Sequence, residues 1–382
     1  MSELKVHYEV EFAGKPLRPA PFTVSFQRER GLSTVCEVRS IYPTAIPMRD
    51  RPPLPEQGTP VEVRWGTKPS AMRTWYGYVH FSRPDYDHVE PGSEAVRYVL
   101  VSTGHALEVE KTRDWRRITD SGIAQQIAQE HNLSAVIHRT TRIYDYLLQD
   151  GISDLEWLRE RGTECGRQVH VENGVLYYID PASMAMAKKA QPLKLTMNKQ
   201  RQAEAVVNVE PLYGTLVPQA GKQAKRALTG FDIDANRLIN AKQVPQQPAP
   251  DFIARDTAVA SPADLYQNVA ALGVEHEEWL HARVEIVQFS NVDHIPGQLV
   301  DLQGEAVSPK MRGTWMITGS NHRLQSYLVA KLGNRLFDSE LKLSRNSANS
   351  FVLRDRRMPG VDDSCVRAGG KWRSASQQVV IL

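Results

Sequence analysis

The segment His276-Glu277-Glu278-Trp279-Leu280-His281 is where histidines and acids cluster most like a zinc-binding helix. Its histidines are five residues apart rather than four. At about 100° per residue they do not share a helix face. A solvated helix end is the better reading. The adjacent acids Glu277-Glu278 and Asp362-Asp363 point in different directions because they are chain neighbours, and such charge runs lie on surfaces. Ser320 stands two residues before His322 in Thr318-Gly319-Ser320-Asn321-His322, which does not make a triad. A hydrogen-bonded structural histidine is the expectation there. Trp65, Trp75, Trp279 and Trp315 could line a sugar site, but aromatic residues at strand spacing more often form core or interface. The chain has no G-x-S-x-G elbow and no phosphate loop. Cys36, Cys165 and Cys365 are far apart and odd in number, so they make neither a ligand set nor a disulfide framework. Reduced, cytosolic synthesis is the expectation. No residues are left to support an enzyme, a metal or a cofactor.

Composition is that of an ordinary globular protein. The 382 residues are 41% apolar and 24% charged, with a net charge of +3. That length holds two to four domains, and the charge gives no global signal for nucleic acid. The segment MSELKVHYEVEF lacks the basic and apolar regions of a secretory signal, and no apolar run approaches a membrane span.

The elements that would position any site centre on Thr119 to Pro181. Thr119 or Asp120 caps a first helix whose inner face carries Ile123 and Ile127. Ser153-Asp154-Leu155-Glu156 is a capping box for a second helix, with Ser153 and Glu156 satisfying each other's amides. Leu155, Leu158 and Cys165 form its stripe, and Gly166 stops it. Val169 and Val171 alternate with polar residues up to Asn173-Gly174, a type I′ turn, after which Val175, Tyr177 and Ile179 return. The result is a helix-helix-hairpin cassette.

Either side of it the chain reads as strands. Residues 1–104 alternate in short runs, and Val96 to Val101 is apolar on both faces, as in a strand covered on both sides. Residues 191–212 and 278–345 return to strand pattern, including His281 to Phe289, Leu299 to Leu302, Thr314 to Thr318 and Glu340 to Leu343. Between them, 213–277 loses periodicity and reads as a long excursion or linker, with a helix start at Ser261-Pro262-Ala263-Asp264. Gly58-x-x-Val61-x-Val63 matches Gly297-x-x-Val300-x-Leu302, and Met72-Arg73-Thr74-Trp75 matches Met311-Arg312-Gly313-Thr314-Trp315. One inserted residue aligns both pairs, which favours duplication of a β unit. The arm 346–382 is basic through Arg354, Arg356, Arg357, Arg367, Lys371 and Arg373 and ends in Val379-Val380-Ile381-Leu382. If ordered, that end is expected to add to a strand edge of a neighbouring subunit or an adjoining protein, while the arginines face an acidic patch.

The cassette ISDLEWLRERGTECGRQVHVENGVLYYID and the later PGQLVDLQG, RGTWMITGSNHRLQ and ELKLSR resemble the late control protein D type of baseplate hub and the front part of VgrG-like spike proteins. The matching residues of the second part are Pro296, Gly297, Gly313, Trp315, His322, Leu341, Leu343 and Arg345. Gly162 inside the second helix, the excursion after 213 and the basic arm depart from the pattern. The resemblance implies a mixed, mainly β fold. Two related tube-like antiparallel β-barrels would flank the α+β insert 105–190, with a further irregular or helical lobe. It implies a homotrimer whose six barrels make a pseudo-sixfold ring between a tail tube protein and a threefold central spike protein, with other baseplate proteins and a tape measure protein nearby. DNA would pass without specific binding and nothing would enter a membrane. The place would be the virion tail baseplate, assembled in the host cytoplasm. Trp75, Ser153, Glu156, Gly297, Trp315, His322, Arg354, Arg356 and Arg357 are then structural or interface residues. A tail-associated cell-wall hydrolase and a carbohydrate-binding tail-tip protein are the rival readings.

Overall fold

Apolar–polar alternation sets the first region in strands because it puts one face on a core and leaves the other wet. The computed structural model describes residues 7–43, 53–66, 72–85, 93–179, 192–197, 206–212, 225–232, 237–243, 251–255, 280–286, 294–325, 337–345 and 379–381. The first strands are β1 (His7–Phe12), β2 (Lys15–Pro16), β3 (Pro21–Glu29), β4 (Val35–Pro43), β5 (Pro60–Gly66), β6 (Arg73–Asp85) and β7 (Ser93–Ser102). In β3, Val24 and Phe26 are buried while Ser25 and Gln27 are not. In β7, Val96, Tyr98, Val99, Leu100 and Val101 are all buried, so this strand is covered on both faces.

After a 3-10 turn (Thr103–Glu108) the insert runs β8 (Glu110–Ile118), α1 (Asp120–Glu130), β9 (Ser134–Ile137), β10 (Tyr144–Ser153), α2 (Asp154–Cys165), β11 (Gln168–Glu172) and β12 (Val175–Ile179). Thr119 caps α1, its side chain accepting from the Gly122 N–H. Ser153 caps α2, its Oγ accepting from the Glu156 N–H at 3.1 Å. Gly166 ends α2 in the left-handed conformation at φ 69°. Asn173 and Gly174 both have positive φ, as the I′ turn requires. The insert holds more strand than a helix-helix-hairpin. β8 and β10 form a two-stranded sheet, and β9 joins β12 in parallel. Gly162 also has a reason. A Cβ there would sit 2.7 Å from the Arg167 carbonyl oxygen, so glycine lets the chain turn back tightly beneath the helix.

The remaining strands are β13 (Leu193–Thr196), β14 (Val206–Leu212), β15 (Lys225–Asp232), β16 (Arg237–Gln243), β17 (Asp251–Arg255), β18 (Leu280–Ile286), β19 (Leu299–Gln303), β20 (Gly313–Gln325), β21 (Phe337–Arg345) and β22 (Val379–Ile381). The excursion expected to be linker thus carries a three-stranded sheet, β16-β15-β17. Its sequence hid this because it lacks clean alternation. The helix expected from Ser261 lies outside the described residues. β22 adds to β9 of the same chain.

The mainly antiparallel β architecture is dominated by one sheet of order β14-β18-β21-β20-β3-β4-β7-β6-β5-β1-β2, with β19 on β20 and β13 on β19. The two β regions meet at β3 and β20, with His322 opposite Phe26 and Asn321 opposite Gln27. Among the described residues this path stays open. One apolar core spans both regions, running from Val24, Phe26 and Trp75 to Val284, Trp315 and Leu343.

The repeat is visible in hydrogen bonds. Thr59 N–H donates to the Glu56 carbonyl at 3.1 Å, and Gln298 N–H to the Ile295 carbonyl at 3.2 Å. Gly58 (φ 80°) and Gly297 (φ 87°) take the third position of these type II turns. Gly58 N–H then donates to Val79 and Gly297 N–H to Ile317, both at 2.8 Å. The tryptophans break the match. Val61 pairs with Gly77, whereas its counterpart Val300 pairs with Trp315. Trp315 therefore stands in the place of Gly77, and Trp75 two residues earlier. Two residues is one strand period, so the indole stays on the same face. A Cβ on Gly77 would lie 2.3 Å from both the Trp75 ring and the Val101 carbonyl oxygen.

Gly77→Ala is expected to cost about 3 kcal/mol in urea unfolding, from overpacking against a backbone atom that cannot retreat. Ser153→Ala should cost only about 1 kcal/mol, for one lost cap. A Gly77→Ala chain as stable as the parent would remove the close-approach argument.

Candidate functional site

The place where the most elements converge is the joint between β3, β20 and the insert hairpin. β3 carries Arg28, only 2% exposed. Its Nε donates to the Glu172 carboxylate of β11 at 3.0 Å. Its guanidinium lies 4.7 Å from the Phe26 ring centre and 5.7 Å from that of Trp65. The hairpin tip is pinned beside it. Tyr76 N–H donates to Asn173 Oδ1 at 3.1 Å, and Asn173 Nδ2 donates to the Thr74 carbonyl at 3.3 Å. Gly174 N–H donates to Thr103 Oγ1 at 2.9 Å. The Asn-Gly pair therefore makes the turn and docks it on β6. Sequence alone showed the turn chemistry and missed the docking, because Arg28 and Glu172 are far apart in the chain.

His322 lies in this joint. The His294 carbonyl accepts both the Ser320 Oγ–H at 2.7 Å and the His322 Nε2–H at 3.1 Å. Ser320 and His322 thus share one acceptor and do not activate each other. The His294 and His322 rings stack 5.4 Å apart. Burial first, and the nearby Arg28 charge second, push the His294 imidazole down to about 4. Burial, His294 and Arg28 hold His322 well below the ordinary range. Both rings are neutral at pH 7.

A second polar centre braces the insert. Asp154, wholly buried at the start of α2, receives Lys111 at 2.6 Å and Arg113 at 2.6 Å from β8. His131 at 2.9 Å and Gln149 at 3.0 Å complete it. Burial would raise this carboxyl. The bonds from His131, Lys111 and Gln149 and the Arg113 charge outweigh that and hold it below the usual carboxylate range. Glu130, His131 and Asp154 bring ligand atoms within 4.8 Å of one another. Lys111 and Arg113 already occupy those carboxylates, so this is an ion-pair network rather than a metal centre.

Trp75 and Trp315 are fully buried and Trp65 nearly so. None of these three can stack on a sugar, and Trp279 lies outside the described residues. Trp315 Nε1 donates to the Met311 carbonyl at 2.9 Å, and the Arg345 guanidinium covers its ring at 4.1 Å. That gives the closing Leu341-x-Leu343-x-Arg345 run a job: two core leucines and a lid on the tryptophan. Gly297 makes the turn that follows His294, and Ser153 caps α2 through the Glu156 N–H. Arg354, Arg356 and Arg357 lie outside the described residues. Over the β3–β20 seam is a groove of about 500 Å³, lined in part by Glu37, Glu285, Asp338 and Glu340 against Arg323.

No protein family profile matches the sequence, and no curated protein does. Solved structures do share the fold. A tail protein from Neisseria meningitidis MC58 superposes at TM-score 0.62 with 11% identity, over 90% of this chain and 97% of that one. The 43 kDa tail protein of prophage MuSo2 from Shewanella oneidensis gives TM-score 0.62 at 12% identity, over 90% and 99%. An E. coli type VI secretion component, described as structurally similar to T4 bacteriophage tail proteins, gives 0.56 at 13%, over 90% and 79%. At such identities the likeness to these three proteins is one of fold alone.

The histidines give the joint a pH dependence of known sign. A base with a depressed folded pKa is neutral in the fold and binds protons on unfolding. Its stability is fully present above the unfolded value near 6.5 and is lost as pH falls toward about 4. Between pH 8 and 5, His294 should account for about 2 kcal/mol of lost stability. Denaturant melts of the parent and His294→Gln should converge as pH falls, and parallel curves would contradict this. Asp154→Ala should cost about 3 kcal/mol at pH 7, because it strands two cations.

Proposed function

We propose that this chain is a structural baseplate hub of a phage tail or related contractile injection system. In this reading it forms a homotrimeric, pseudo-sixfold ring joining the sixfold tail tube protein to the threefold central spike protein. Other baseplate proteins surround it, and a tape measure protein lies in the axis. The observation that carries the reading is the repeated turn-and-strand unit. Gly58 and Gly297 make the same turn with the same bonds, and the two units sit in one sheet. Two alike units per chain and three chains give six, which is what a threefold-to-sixfold adaptor needs. The fold likeness to tail and secretion proteins supports it.

Within that reading, residues 1–104 form one barrel-like unit, and 191–212 with 278–345 form the other. The insert 105–190, the excursion 213–277 and the arm 346–382 are the stretches of sequence left over from these two units. Ring closure would cover the sheet edges that β2 and β14 leave at the ends of the path. The groove over the seam, with its carboxylates, suits a conduit. A basic wall would hold DNA by counterion release and oppose its passage. The joint holds polar groups for packing, and the protein acts by shape rather than catalysis.

Light scattering of the purified chain, alone and with its spike partner, should give a mass near three chains. Class averages should show a ring with six density lobes. A strictly monomeric chain in both samples would sink the ring.

A further inference from the structure

The insert's second sheet runs β11-β12-β9-β22. β9 is paired in parallel on both sides, with β12 and with β22. Ser134 N–H donates to the Gly174 carbonyl and His138 N–H to the Tyr178 carbonyl, both at 2.9 Å, so alternate amides of β9 face β12. The amides between them, of Ala135 and Ile137, face outward to the edge. β22 lies on that edge with Val379 opposite Ala135, Val380 opposite Val136 and Ile381 opposite Ile137. The side chains of Ala135 and Ile137 are themselves buried, so the strand is held rigidly by its own sheet. An uncovered edge of this kind offers a row of free backbone groups and recruits another strand.

β22 meets β9 by parallel strand addition, and main-chain pairing does not distinguish one copy of a chain from another. Residues 346–378 separate β22 from β21 in sequence. A stretch of that length reaches up to about 110 Å when extended. Connectivity therefore does not tie this donor to one acceptor. We infer that the outer edge of β9 is a strand-acceptor site for residues 379–381 of a second copy of this chain, which exchanges with the chain's own strand. The result is a reciprocal clasp between subunits. The inference goes beyond the hub reading, since it needs a second copy but no particular number of copies.

The experiment uses full-length chains in two arms. In the first, Val380→Pro removes the amide that the parallel pattern points at β9 and so empties the edge. A labelled peptide of residues 374–382 should then bind the Val380→Pro chain at least tenfold more tightly than the parent. The same peptide with proline at 380 should not bind. Hydrogen exchange at Ala135 and Ile137 should quicken at least tenfold in the variant and return on adding the peptide. In the second arm, chains carrying Ser134→Cys are mixed with chains carrying Gln378→Cys and oxidised. Mixed disulfide-linked pairs are expected, because each position comes immediately before the first observed pair, Ala135 with Val379. Equal peptide binding by parent and variant, or unchanged exchange, would overturn the acceptor site. Peptide binding without mixed pairs would overturn the second copy as donor and leave a purely intramolecular strand.

Discussion

The pairing of β3 with β20 is the contact on which the rest of the architecture depends. It runs from Glu29 opposite Gly319 to Thr23 opposite Gln325. Each partner is a long strand already paired on its other side, β3 with β4 and β20 with β21. Joining them merges two regions from opposite ends of the chain into one sheet and one core. The closure cost of so distant a contact grows only slowly with chain length. Several ladder bonds and the burial of Phe26, Leu324 and Phe337 offset it.

The seam also explains why so much charge is buried beside it. An isolated buried arginine costs several kcal/mol, and a buried ion pair stabilises little over an apolar substitute. What Arg28 and Glu172 supply is placement. The carboxylate comes from the insert hairpin and the guanidinium from β3, so the pair is satisfied only when the hairpin is seated. Asn173, bonded to both the Tyr76 amide and the Thr74 carbonyl, fixes the same docking from the turn. Asp154 does within the insert what Glu172 does at its border, drawing Lys111 and Arg113 of β8 onto the start of α2. Polar order of this kind sets orientation at the cost of some stability.

The two repeated units have diverged where packing allows it. Their turns and strand pairing are kept, because both are set by backbone geometry. Their tryptophans are exchanged along the strand by one period, and each has acquired its own neighbours. Trp75 lies over Gly77 and meets Phe26 edge-on at 5.8 Å. Trp315 is tied to Met311 and covered by Arg345.

Local signals in the sequence determined the caps at Thr119 and Ser153, the stop at Gly166, the Asn173-Gly174 turn and nearly every long strand of the two β regions. These depend on residues within a few positions of one another, where propensity and period act directly. The repeat was legible at its turns, since glycine suits that φ best, but its tryptophan alignment was misplaced by one strand period. Only the tertiary structure decided that the two regions share a sheet, that the insert carries β8, β9 and β10, that the excursion holds β15 to β17, and that β22 lies on β9. Edge-to-edge pairing rests on backbone groups every residue has, so no residue type announces it. The Arg28–Glu172 pair was hidden for the same reason: its partners come together only after the seam and the hairpin have formed.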